Sequence, residues 1–359
     1  MNKLPELNIG DLKIPVPIVQ GGMGVRISLS KLASTVANEG AVGTISAALI
    51  GGLKSNLSLE DSAIADVKEL VEQIRKAGTL TTGVIAVNVM VALTNYSVLV
   101  KAASQNGAQI IFVGAGLPLN LPKLIEGTKV KIAPIISSAR AANIICRNWI
   151  QKYNYVPDAI VLEGPKAGGH LGYCFEELED ESKTPVLENL LQEVVKVAEK
   201  YGAEKGLKIP VIAGGGITTG KEIAKLIKLG ASGVQIATLF VPTVECDAAE
   251  EFKQAYINAK KEDITIIRSP VHMPGRALLN SFVKRSLKGE IKFNCCYQCL
   301  KTCEPANSPY CIAQALINAA DGNVDEGVVF VGAEAYKADK ITTVREVIKK
   351  LVKEAEANL

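Results

Sequence analysis

Apolar residues in this chain come in short continuous runs, and each run is followed by a longer stretch with helical spacing. The runs at 18–20, 42–45, 83–90, 108–113, 132–136, 159–162, 210–213 and 234–239 read as strands. Continuous rather than alternating apolar character is what a parallel strand covered on both faces requires. Between the runs the period lengthens. At 61–76, Ile64, Val67, Leu70, Val71 and Ile74 recur on one face, and Gly78 stops the helix. Further helices are expected from Ser28 or Ser30, either of which can cap, to Asn38, and at 96–106, 119–126, 140–152, 188–201, 221–229 and 248–260, with a polar connection at 51–59. Eight β-α units within about 250 residues predict an α/β chain folded as a closed (β/α)8 TIM barrel. A doubly wound open sheet is the alternative, and it usually has fewer units. The barrel is expected over 1–265. Residues 266–359 carry a helix at 312–320, a short strand at 328–331 and a helix at 344–355, expected to cap the barrel rather than fold alone.

The ends of the predicted strands carry the chemistry. In such a barrel they face the ligand. They hold Gly21-Gly22-Met23-Gly24, Asn88, Gly114-Ala115-Gly116, Ser137-Ser138, Glu163 through His170, Gly214-Gly215-Gly216 and Ala237-Thr238. Glycines there let a planar ligand lie against the backbone, although each loop taken alone also fits a simple turn. Loops after strands seven and eight commonly hold phosphate, so the N–H groups of Gly215, Gly216, Ala237 and Thr238 are candidate donors. The amides of Gln20 and Asn88 can both donate and accept, as the mixed edge of a heterocycle demands, or they can satisfy neighbouring loops. The chain has two histidines, and one of them, His170, follows Gly168-Gly169, where an imidazole can move a proton near neutral pH.

Composition narrows the function classes. Hydrophobic residues at 48% suffice for a large core, and a net charge of +3 gives no footing for nucleic acid or an anionic membrane as partner. No run reaches membrane-spanning length and the first residues lack a signal-peptide core, so a cytoplasmic protein is expected. A chain this long is not a small disulfide scaffold, so the clustering of five of its eight cysteines between Cys295 and Cys311 needs another reading. Cys296, Cys299, Cys303 and Cys311 have spacings that suit an iron–sulfur cluster or zinc, and equally a set of reduced thiols near a loop.

Taken in order, Gln20-Gly21-Gly22-Met23-Gly24, Asn88, Glu163-Gly164-x-x-Ala167-Gly168-Gly169-His170-x-Gly172, Ala213-Gly214-Gly215-Gly216-Ile217 and Ser269-Pro270-Val271-x-Met273-Pro274-Gly275-Arg276-Ala277 resemble the nitronate monooxygenase (2-nitropropane dioxygenase) family, over roughly residues 5 to 340. That family also includes FMN-dependent enoyl-acyl-carrier-protein reductases. The resemblance implies a barrel that binds FMN, with Gly22 and Met23 bordering the flavin ring, Asn88 bonded to it, and Lys166, Gly168 and Gly169 beside it. It implies phosphate contacts from Gly215, Gly216, Ala237 and Thr238, and His170 as catalytic acid/base. Many relatives have glycine where Ala237 and His272 stand; His272 is either a second substrate-side group or an ordinary loop residue. The substrate implied is a small molecule, an alkyl nitronate oxidised with oxygen or an enoyl thioester reduced with NAD(P)H through FMN, and a homodimer is possible. Two readings compete. One is a non-catalytic flavin or metal redox sensor acting through the cysteine-rich tail. The other is an inosine-monophosphate-dehydrogenase-like enzyme using Cys174, which lacks that family's surrounding motif.

Overall fold

The computed structural model describes residues 3–52, 59–293 and 297–359. The chain opens with an antiparallel hairpin, β1 (Leu7–Ile9) and β2 (Leu12–Ile14). Pro15 and Pro17 lack the N–H that a continuing ladder needs, and the barrel starts beyond them. Its strands are β3 (Ile18–Gln20), β4 (Gly43–Ser46), β5 (Ile85–Met90), β6 (Ile110–Gly114), β7 (Lys131–Ile136) and β8 (Ile160–Glu163). A two-residue strand outside the barrel, β9 (Gly169–His170), comes next, and β10 (Val211–Gly214) and β11 (Gly233–Ile236) complete the set. All barrel neighbours pair in parallel. The ring closes between β3 and β4, where Gln20 N–H donates to Val42 O at 2.9 Å and Val42 N–H to Ile18 O at 2.9 Å. The eight-stranded barrel predicted from the apolar runs is the fold observed.

Helices α1 (Ser30–Asn38), α2 (Leu59–Leu80), α3 (Tyr96–Gln105), α4 (Leu121–Leu124), α5 (Ala139–Tyr153), α6 (Phe175–Glu179), α7 (Leu187–Lys205), α8 (Gly220–Lys228) and α9 (Glu250–Ile257) fall between and after the strands. Neither expected serine caps α1. The Asp247 carboxylate, 215 or more residues away, accepts from the N–H groups of Leu29 and Leu32 at 2.8 and 3.2 Å. α4 is shorter than its apolar run suggests, and so is β11. β11 stops at Ile236, and residues 238–240 form a single 3-10 turn instead of prolonging the strand.

Alternation sorts the strand side chains. Val19, Val42, Ala86, Ile110, Phe112, Ala133, Val161 and Ile212 fill the barrel lumen. Leu7, Ile9 and Ile14 of the hairpin join that cluster and close the end where the strands begin. Two residues further along the same faces stand Thr44, Asn88, Gly114, Ile135, Glu163 and Gly214, so the lumen ends in a more polar layer.

After α9 come β12 (Ile264–Arg268) and β13 (Pro274–Leu278), then α10 (Ser281–Leu287), α11 (Ile312–Ala320) and α12 (Val344–Asn358). The stretch 328–331 forms only an isolated bridge, Phe330 to Ala277. Tyr310, Ile312, Val328, Val344 and Leu351 share one hydrophobic core with the outer faces of the barrel strands. α12 lies directly on α8. Glu354 accepts the N–H of Gly220 at 2.9 Å, and a Cβ at Gly220 would stand 2.4 Å from Leu351 O. Among the described residues no helix is long and apolar enough to cross a membrane.

Candidate active site

The C-terminal ends of the barrel strands surround a cavity of about 400 Å³. The residues that the family resemblance implies as cofactor contacts or acid/base all line it: Gly22, Met23, Asn88, Lys166, Gly168, Gly169, His170, Gly215, Gly216, Ala237 and Thr238. Asn88 ends the lumen face of β5. It lies against Gly22 so closely that a Cβ there would sit 2.3 Å from Asn88 Cβ. Its amide has one long bond, Nδ2 to Phe112 O at 3.4 Å, and is otherwise available to a ligand. Gln20 is not. It is fully buried, accepts from Thr44 N–H at 2.8 Å and donates to Gly21 O, so it serves the barrel rather than a ligand.

One end of the cavity is lined by glycine-rich main chain. Gly215 and Gly216 have φ of +103° and +82°, and a Cβ on either would meet Gly164 O or Lys166 Cβ at 2.8 Å. The main-chain N–H groups of Gly215, Gly216, Ala237 and Thr238 donate to no acceptor among the described residues. The early stop of β11 is what leaves Ala237 and Thr238 unpaired. Lys166 runs its stem along Gly216, and its exposed Nζ pairs with Glu334 at 3.2 Å.

The other end is built around the histidine. β9 pairs antiparallel with β13, which sets Gly275 opposite His170 and Arg276 opposite Gly169. Arg276, 8% exposed, reaches back and donates from Nη1 to Pro165 O at 2.7 Å and to Ala167 O. The loop between β8 and β9 is therefore clamped by a buried guanidinium. Gly168 is needed where it stands, because a Cβ would lie 2.6 Å from the main chain of Val331. The half-buried His170 ring has Ser269 Oγ 2.6 Å from Nε2 and the edge-on Phe330 ring 4.9 Å away.

The sequence profile of the nitronate monooxygenase family matches residues 6–96 and 92–354. The chain belongs to that family. With it goes membership of the FMN-dependent oxidoreductases. A probable nitronate monooxygenase of Staphylococcus aureus strain Newman is 28% identical over 312 residues, covering 76% of this chain and 78% of that protein. Among solved structures, FabK from Thermotoga maritima superposes with a TM-score of 0.72 at 24% identity, over 96% of this chain and 94% of that one. Nitroalkane oxidase from Streptomyces ansochromogenes gives 0.73 at 19% identity, over 96% and 97%. At these identities the two structures speak for the fold.

Burial shifts two titratable groups of the cavity toward their neutral forms. Burial holds the His170 imidazole down at about 4, so it is neutral at physiological pH. Burial pushes the Glu163 carboxyl up to about 7, and the charge of Arg276 opposes that rise only in part. Glu163 also lines the cavity; its main-chain O accepts from the Tyr173 hydroxyl at 2.7 Å, while its carboxyl has no hydrogen bond among the described residues. It opens the Gly-Gly-His motif, and its place two residues beyond Val161 on the lumen face is the signal that marks it. Ser46 was missed as well. Its buried Oγ has no partner, and it lines the same cavity two residues after Thr44.

The other sequence candidates described are His272 and four cysteines. His272 is exposed at a turn with φ +60°, as an ordinary loop residue would be. Cys174 is exposed before α6 and does not line the cavity. Cys299, Cys303 and Cys311 are half-buried around a small separate pocket with Tyr310, and Cys299 also borders the main cavity. Cys295 and Cys296 lie outside the described residues. Among the described residues no group of three or more His, Cys, Asp or Glu side chains is placed to hold a metal ion.

Proposed function

We propose that this chain oxidises small alkyl nitronates with oxygen, using FMN held in the barrel-end cavity. The observation that carries the reading is the pairing of two ends in one cavity: four N–H groups unbonded among the described residues at one, and a half-buried, neutral histidine at the other. The residues fit FMN. Gly215, Gly216, Ala237 and Thr238 would hold its phosphate, with Lys166 beside them. Asn88, Ser46 and Gln235 offer polar atoms within the cavity, and Gly22, Met23, Gly168 and Gly169 would border the ring. FMN, when bound, supplies electron transfer between substrate and oxygen.

The remaining task falls to the protein. A nitronate is already deprotonated, so it needs a donor for its oxygens rather than a base. A neutral imidazole with one N–H meets that need, whereas a base whose conjugate acid sits at about 4 is a weak one for pulling a proton from a neutral nitroalkane. Apolar side chains that line the cavity, including Met90, Leu93, Leu117 and Leu316, suit an alkyl chain. The reading predicts oxygen uptake with an alkyl nitronate and slower uptake with the parent nitroalkane at the same pH. His170→Asn should lower nitronate turnover by about 10²-fold, the usual effect of removing one donor to a developing or bound oxyanion. Equal rates on both substrates would contradict the assignment.

One observation favours a second reading. Reduction of an enoyl thioester by NAD(P)H through FMN ends by protonating a carbon, and Glu163 near 7 is an acid of suitable strength. Oxidation of NAD(P)H dependent on crotonyl thioester, with no oxygen uptake on nitronate, would establish that activity instead.

A further inference from the structure

Ser269 sits in the turn that joins β12 to β13. The turn is closed by two main-chain bonds, Ser269 N–H to Met273 O at 3.2 Å and His272 N–H to Ser269 O at 3.0 Å. The side chain is 4% exposed, and its Oγ has two neighbours, Val271 N–H at a long 3.4 Å and His170 Nε2 at 2.6 Å. Val271 can only donate to it. The hydroxyl hydrogen then has one available acceptor among the described residues, the Nε2 lone pair. With Nε2–H instead, the buried hydroxyl would receive two donors and leave its own hydrogen unsatisfied. We infer that Ser269 fixes the tautomer of His170: the hydroxyl donates to Nε2, the single ring proton resides on Nδ1, and Nδ1–H is the donor the ring offers to a ligand. Burial keeps the imidazole neutral, so there is one ring proton to place.

Both partners belong to one small sheet. Besides the β9–β13 pairing, Leu171 N–H donates to Pro274 O at 2.9 Å, and Phe330 packs edge-on to the ring. Ser269 is therefore a positioning residue, acting through His170 and not on the substrate. In its kinetic arm the inference deepens the nitronate reading: a nitronate presents oxygen anions, and an imidazole locked as the Nδ1–H form is a permanent donor to one of them.

The chain has two histidines, so nitrogen-15 NMR of histidine-labelled, FMN-loaded protein gives two ring systems, assigned by His272→Gln. In the wild type, His170 should show a protonated Nδ1 and an unprotonated Nε2 at neutral pH. Ser269→Ala should move the proton wholly or partly to Nε2 and lower kcat on an alkyl nitronate about tenfold, with KM changing less. Ser269→Thr, which keeps the hydroxyl, should restore the tautomer and most of kcat. A wild-type ring protonated on Nε2 overturns the inference whatever the variants do, and so does an unchanged tautomer in Ser269→Ala. Absence of nitronate turnover would sink the proposed reaction and leave the tautomer assignment standing, so the two failures are separable.

Discussion

At the scale of single residues, burial moves two titratable groups of the cavity in opposite directions. Glu163 is held at about 7 against an ordinary 4.5, and His170 at about 4 against 6.5. The stability consequences have opposite signs. The folded-state pKa of Glu163 is raised, so its contribution is fully present below about 4.5 and is lost as pH rises through about 7. The folded-state pKa of His170 is lowered, so its contribution is present above about 6.5 and is lost as pH falls through about 4. Glu163→Gln removes the first effect. Relative to wild type, the variant apoprotein should gain on the order of 2 kcal/mol between pH 5 and pH 8, measured by urea unfolding at each pH. A constant difference across that range would show that Glu163 is not desolvated. Reasoning from sequence left Ser46 out and quoted Glu163 and Ser269 within motifs without a role; all three are ordinary types. What singles them out is an unpartnered atom or one short hydrogen bond, and neither is visible before the chain is folded.

At the scale of elements, the site depends on contacts that arrive from late in the chain. Arg276 of β13 clamps the loop between β8 and β9 through the carbonyls of Pro165 and Ala167. Arg276→Met keeps the length and removes the donors. It should weaken FMN binding tenfold or more and lower thermal stability by about 2–4 kcal/mol, since two buried carbonyls lose their partner. FMN fluorescence titration and a melting curve check both, and unchanged cofactor affinity would show that the clamp is dispensable. Gly220 does not itself line the cavity, and Gly220→Ala should cost about 1–3 kcal/mol through its clash with α12, read from a melting curve. Strand positions were legible because parallel strands must be apolar on both faces, and the eight runs mark them within a few residues. Short elements were not. The β1–β2 hairpin is split from β3 only by Pro15 and Pro17, and β9 is two residues held by a partner a hundred positions away. The end of β11 was read too long because Ala237 and Thr238 prolong an apolar run, although the chain turns there and leaves their N–H groups without an acceptor among the described residues.

At the scale of the whole molecule, the barrel supplies a rigid ring of strand ends, and residues after 263 complete the wall with Met273, Leu316, Phe330 and Gly332. The Gly-Gly-His stretch, which lines the cavity, was legible as a candidate from its glycines and its scarce histidine. Its chemistry was not, because the protonation state of His170 comes from burial by Phe330 and the barrel rim. The most direct test is to mix the purified, FMN-loaded protein anaerobically with an alkyl nitronate and, separately, with NADH or NADPH, and to follow the flavin absorbance. The account predicts that the nitronate bleaches the flavin rapidly, that admitting oxygen restores it, and that His170→Asn slows the bleaching about 10²-fold. Bleaching by NADH or NADPH with none by nitronate would contradict it.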